Sequence, residues 1–74
     1  MENGSHPEIQ AIALAVRSAR QHHQMTQAQL AGLSGTGLRF ISELENGKPS
    51  CQLGLALKVA KTLGLKLRLE EPRA

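Results

Sequence analysis

The chain predicts a small all-α domain: four short helices, the middle two joined by a tight turn, followed by a single strand that pairs with a second copy of itself. Three observations lead there. Apolar residues recur at helical intervals in four separate segments. Clusters of glycine and small polar residues divide those segments. After Gly64 the pattern changes to strict alternation, the period of a strand.

Residues 1–4 are polar and without periodicity, and they read as a frayed, disordered tail. A first helix opens near Ser5, where Ser5 and Glu8 have capping-box spacing and Pro7 falls in the first turn. Its apolar face is Ile9, Ile12, Ala13, Val16 and Ala19, and it ends near His22. Thr26 and Gln29 repeat the capping-box spacing and open a short second helix with Leu30, Ala31 and Leu33 as its apolar face. Gly32, Ser34, Gly35, Thr36 and Gly37 then force a bend before a third helix resumes at Leu38. Asn46-Gly47 stops that helix, with Pro49 behind it. Ser50 is placed to cap a fourth helix, whose stripe is Leu53, Ala56, Leu57, Ala60 and Leu63 and whose terminator is Gly64. The helical domain thus spans residues 5–64.

In residues 65–70 the side chains of Leu65, Leu67 and Leu69 point one way and those of Lys66, Arg68 and Glu70 the other. A lone strand leaves its backbone donors and acceptors unpaired, and no second strand is visible in the sequence. Two-fold pairing with the same segment of another copy completes the ladder and buries the three leucines, so a homodimer is expected. Residues 71–74 form a short tail.

A chain of 74 residues makes one domain and buries a modest fraction of its surface, so support from a partner is in keeping with its size. Its single cysteine, Cys51, has no second cysteine for a disulfide or a shared metal, and reads as a small apolar residue in a reducing cytoplasm. No segment approaches the roughly 18 apolar residues of a membrane span, and no signal-peptide pattern is present. The histidines lack further ligands for a metal, the chain has no aspartate, and no catalytic constellation or phosphate-cradling loop is found. Neither enzyme nor cofactor is therefore expected. The net charge is +3, and its distribution says more than its size: no acid lies between Glu8 and Glu43 or between Glu45 and Glu70, while eight Arg and Lys residues fall inside those gaps. That pattern suits a polyanion.

The segment between Gln27 and Asn46 has the proportions of a helix-turn-helix, in which the first helix braces and the second enters the major groove of double-stranded DNA. Ala31 is small where the two helices must meet, Gly35 sits at the turn, and Leu30, Ile41 and Leu44 supply the contacts. With Ile41 and Leu44 inward, Leu38, Arg39, Ser42, Glu43 and Asn46 fall on the outward stripe. Arg39 can fork onto guanine O6 and N7, Leu38 can meet a thymine methyl, Ser42 can bond to either base type, and Gly37 lets backbone approach closely. Gln27, Asn46 and Lys48 are placed to grip phosphates. Glu43 stays ambiguous, since it can accept from cytosine N4 or simply point away. A module of the same fold that binds protein alone is the competing reading.

Residues from about 9 to 65 resemble the phage-repressor (Xre-type) helix-turn-helix family, with its lambda-repressor-like four-helix fold, through Thr26-Gln27, Leu30-Ala31, Gly35, Ile41-Ser42 and Leu44-Glu45-Asn46-Gly47-Lys48. Thr36 stands where the family prefers an aliphatic residue, and Gly37 where a better cap is usual. The run LRFISELENGKP at residues 38–49, with the fourth helix and alternating tail, is more narrowly similar to HipB-type antitoxins. The resemblance implies a dimer, paired through its C-terminal strand, that represses its own operon and binds a HipA-like toxin kinase. A dimer spaces two recognition helices about 34 Å apart or a multiple of that, so an inverted-repeat operator and a cytoplasmic, nucleoid-associated place are expected. A free-standing Xre-type regulator is the alternative. The resemblance also implies that Arg20 and Glu45 form an internal ion pair.

Overall fold

The computed structural model describes residues 6–72. Among them the chain forms α1 (Pro7–His22), α2 (Gln27–Ser34), α3 (Leu38–Glu45) and α4 (Leu53–Thr62). Helix α2 packs against both α3 and α4, and α3 packs against α1. Each helix contributes one apolar residue with no exposure at all: Val16, Leu30, Ile41 and Val59. Ala31, Leu44 and Leu63 complete this core, and Met25, Phe40, Cys51 and Leu65 pack around it. No helix among the described residues is long and apolar enough to cross a membrane.

All four helices end in the same backbone device. Paired hydrogen bonds close the last turn: Met25 N–H to Arg20 O with Gln24 N–H to Gln21 O, Thr36 to Ala31 with Gly35 to Gly32, Lys48 to Glu43 with Gly47 to Leu44, and Leu65 to Ala60 with Gly64 to Lys61. This is the Schellman pattern, which requires a left-handed residue just past the helix. Gly35, Gly47 and Gly64 supply it at φ 69°, 75° and 77°. At the end of α1 the residue is Gln24, at φ 59°, whose Cβ makes that conformation costly. The reward at two of the ends is hydrophobic, because Met25 and Leu65, the residues after the left-handed one, fold back onto the core.

Several sequence expectations change. The residue capping α1 is His6, without a side-chain hydrogen bond, and Pro7 is the first helical residue. The expected Ser5 cap and the tail at residues 1–4 lie outside the described residues. Leu33 is exposed, because the eight-residue α2 turns its Leu30–Ala31–Ser34 side inward. Ser50 does not cap α4; Gln52 holds that position, and the chain runs through turns before it. On α4 Leu53 is exposed while Val59, absent from the expected stripe, is fully buried. The helix is apolar around a wide arc, so periodicity alone could not select the buried side.

No strand is present among the described residues, and residues 65–72 have no regular structure. A strand exists through its ladder of hydrogen bonds, and a single copy of this chain offers none to residues 65–70. Leu65 is half-buried against the core, whereas Leu67 and Leu69 are exposed. Beside Leu65 and Leu67, α1, α4 and the start of this segment enclose an apolar cleft of about 200 Å³, lined by Ile12, Ala15, Leu53, Leu57 and Leu67 among others.

Candidate nucleic-acid interface

Helices α2 and α3 are joined by the three residues 35–37. The start of α2 is held by a reciprocal capping box: the Gln29 N–H donates to Thr26 Oγ1 at 3.0 Å and the Thr26 N–H donates to Gln29 Oε1 at 2.8 Å. At its other end the buried Ser34 hydroxyl donates to Leu30 O at 2.7 Å and lies 2.9 Å from Thr36 Oγ1. Thr36 therefore has a polar partner inside the turn, which accounts for a hydroxyl at a position where the resemblance implies an aliphatic residue. Gly37 caps α3 with extended backbone and no side-chain hydrogen bond. A Cβ there would meet nothing within 4 Å, so no neighbour within the protein requires glycine.

On α3, Ile41 and Leu44 are buried and set the helix's rotation. Leu38, Arg39 and Asn46 are exposed on the other side, with Ser42 and Glu43 half-buried between. The Arg39 side chain is 90% exposed.

The end of α3 is tied down by Glu45, whose side chain has no exposure. Arg20 of α1 grips it with two bonds, Nε to Oε2 at 2.6 Å and Nη2 to Oε1 at 3.0 Å. Gln27 of α2 donates from Nε2 to Oε1 at 3.1 Å, and Arg17 Nε stands 3.6 Å away. Burial by itself would push the Glu45 carboxyl up, but the hydrogen bonds from Arg20 and Gln27 and the charges of Arg20 and Arg17 outweigh it and hold the group below the ordinary glutamate range. The same bond to Glu45 raises the Arg20 guanidinium above its usual value. Arg20 Nη1 also donates to Met25 O at 2.8 Å, so one arginine fixes both Glu45 and the end of α1. Three helices thus converge on one carboxylate, and Gln27, expected on a phosphate, has its amide oriented by it.

Glu43 is the residue that sequence reasoning left without a role. Its Oε2 accepts from Arg39 Nε at 3.2 Å and from Lys48 Nζ at 3.0 Å, which brings two of the expected DNA contacts into one cluster. The bond from Lys48, with smaller help from Arg39, lowers the Glu43 carboxyl. The four-residue spacing of Arg39 and Glu43 was a visible signal. Arg17 was missed too, although its three-residue spacing from Arg20 puts the two on one face of α1. Cys51 is half-buried near Glu43, and burial pushes its thiol up, away from the reactive thiolate form.

Residues 16–69 match the family model described as Helix-turn-helix. The chain is also similar to an uncharacterized HTH-type transcriptional regulator, y4mF, of Sinorhizobium fredii (strain NBRC 101917 / NGR234): 44% identical over 61 residues, which is 82% of this chain and 80% of that relative.

Proposed function

The chain belongs to this helix-turn-helix family, and from that premise we propose that it is a sequence-specific DNA-binding transcriptional repressor, acting as a homodimer on an inverted-repeat operator. The observation that carries the reading is the outward face of α3: an unburied leucine and a 90%-exposed arginine on a helix whose far end is tied to two others through a buried carboxylate. An exposed apolar side chain and an exposed guanidinium, whose terminal nitrogens are left to donate while Nε bonds Glu43, are the groups that read a thymine methyl and a guanine edge, and rigid placement is what base readout needs.

In this reading Arg39 forks onto guanine O6 and N7, a contact worth about 1–3 kcal/mol of discrimination. Leu38 and Ser42 contact neighbouring bases, and Gly37 admits the backbone. Gln27, Asn46 and Lys48 hold phosphates and set the register. The second amide hydrogen of Gln27 is the one offered to DNA, since the first goes to Glu45.

The homodimer is supported by what one copy leaves uncovered: Leu67 and Leu69 are exposed, and Leu67 lines the apolar cleft between α1 and α4. Pairing of residues 65–70 between two copies covers them and spaces two recognition helices about 34 Å apart, or a multiple of that. An antitoxin role, with a HipA-like kinase as toxin partner and a place on the nucleoid, is supported by the resemblance of residues 38–49 to HipB-type antitoxins. A kinase-like reading frame adjoining this one is the expected observation, and an isolated gene favours a free-standing regulator.

The deciding experiment measures affinity for the protein's own promoter fragment across a salt series. The logarithm of affinity should fall linearly with log salt, at about 0.9 per phosphate neutralised. Lys48→Ala should flatten that slope, and Arg39→Ala should relax sequence preference. If neither substitution alters binding, the repressor reading fails and a protein-only interaction module takes its place.

A further inference from the structure

Among the described residues, the outward side of α3 presents one carboxylate, and it sits between two of the cations that DNA would need. Glu43 Oε2 is shared by Arg39 Nε and Lys48 Nζ. A negative charge on a face meant for a polyanion works against binding to any DNA, whatever its sequence. We propose that Glu43 is a specificity-determining residue: it suppresses phosphate-driven, sequence-independent binding while positioning Arg39 for base readout. The inference rests on the DNA-reading function above.

Two physical effects act in opposite directions on the two kinds of complex. Sequence-independent binding is governed by the charge that the face offers to phosphates, and Glu43 offsets one of the two cations flanking it. In the sequence-specific complex the same carboxylate has a second effect. By accepting from Nε of Arg39 it occupies the inner edge of the guanidinium and leaves both terminal nitrogens free to donate as a fork. Arg39 is otherwise unrestrained, with 90% of its side chain exposed, so an anchor at Nε reduces the freedom it must lose on reaching a guanine. Lys48, drawn to the same oxygen from beyond the end of α3, is held beside the recognition helix while remaining exposed. The carboxyl is kept ionised by these same neighbours, so the arrangement persists across the neutral pH range.

The test compares the full chain with Glu43→Gln and Glu43→Asp, each on its own promoter fragment and on a scrambled duplex of equal length, at several salt concentrations. Glu43→Gln should strengthen binding to the scrambled duplex roughly three- to tenfold and steepen the salt slope by about one. Binding to the promoter should gain less, so the ratio of specific to non-specific affinity falls. Glu43→Asp keeps the charge and withdraws the reach, so it should leave the scrambled-duplex affinity and slope as they are and lower the promoter affinity. Equal changes on both duplexes for Glu43→Gln, or an unchanged slope, overturn the proposal. If the unaltered protein binds both duplexes alike or neither, the functional reading falls and this inference with it. Far-UV circular dichroism of both variants separates these outcomes from misfolding, since Glu43 is outside the core.

Discussion

Replacing Arg20 with methionine should destabilise the domain more than any surface change, and the structure says by how much. Glu45 has no exposed side-chain surface and takes two charge-assisted hydrogen bonds from Arg20, at 2.6 and 3.0 Å. Arg20→Met removes both and strands a carboxylate that cannot reach water, a loss of about 3–5 kcal/mol for a buried pair broken on one side. Gln27 at 3.1 Å and Arg17 at 3.6 Å remain, so the lower end, about 3 kcal/mol, is expected. For a chain this size total stability is about 4–11 kcal/mol, and the melting temperature should drop by roughly 12–24 °C. Glu45→Gln leaves Arg20 13% exposed and still bonded to Met25 O, so its cost should be smaller, about 2 kcal/mol. The double variant should cost no more than Arg20→Met alone, a coupling of about 2 kcal/mol in a double-mutant cycle. Urea denaturation at neutral pH, followed by circular dichroism, reads all four states. Additivity within about 0.5 kcal/mol would refute the reasoning, because it would mean that the two groups do not depend on each other.

The depressed Glu45 carboxyl also gives a pH signature: its contribution to stability is complete above the ordinary glutamate pKa and is lost as pH falls through the lower folded-state value, so unaltered protein and Glu45→Gln should converge in acid. Gln24→Gly relieves the left-handed strain after α1 and should raise stability by about 1 kcal/mol, seen as a melting temperature higher by roughly 4–8 °C. Gly47→Ala should do the reverse and by more than Gly64→Ala, since a Cβ at position 47 also comes within 2.5 Å of the Gln10 amide while one at 64 meets nothing. On the proposed homodimer, Leu67→Glu with Leu69→Glu should turn dimers into monomers in sedimentation without lowering helix content; an unchanged dimer would remove residues 65–70 from the interface, and a monomeric unaltered protein would overturn the homodimer itself. Leu65 is better left intact in that experiment, because its N–H closes the last turn of α4 and its side chain packs on the core.

The sequence alone determined the four helices, the Thr26–Gln29 capping box, the turn around Gly35, the glycine stops at 47 and 64 and the inward pair Ile41 and Leu44, because caps, stops and a strongly amphipathic helix are local features with local causes. It did not determine which arc of α4 is buried. There apolar residues lie on several sides, and only packing against α2 chose Val59 over Leu53. Leu33 was misplaced for a related reason, since two turns of helix are too short for periodicity to separate a face from its edge. The alternation of residues 65–70 was legible, but a ladder needs a partner, so a single folded copy leaves the segment irregular. Tertiary structure also decided the role of the two acids. Glu43 and Glu45 are two residues apart on one helix, yet rotation of that helix against α1 and α2 buries one as the tie between three elements and leaves the other outside, between Arg39 and Lys48.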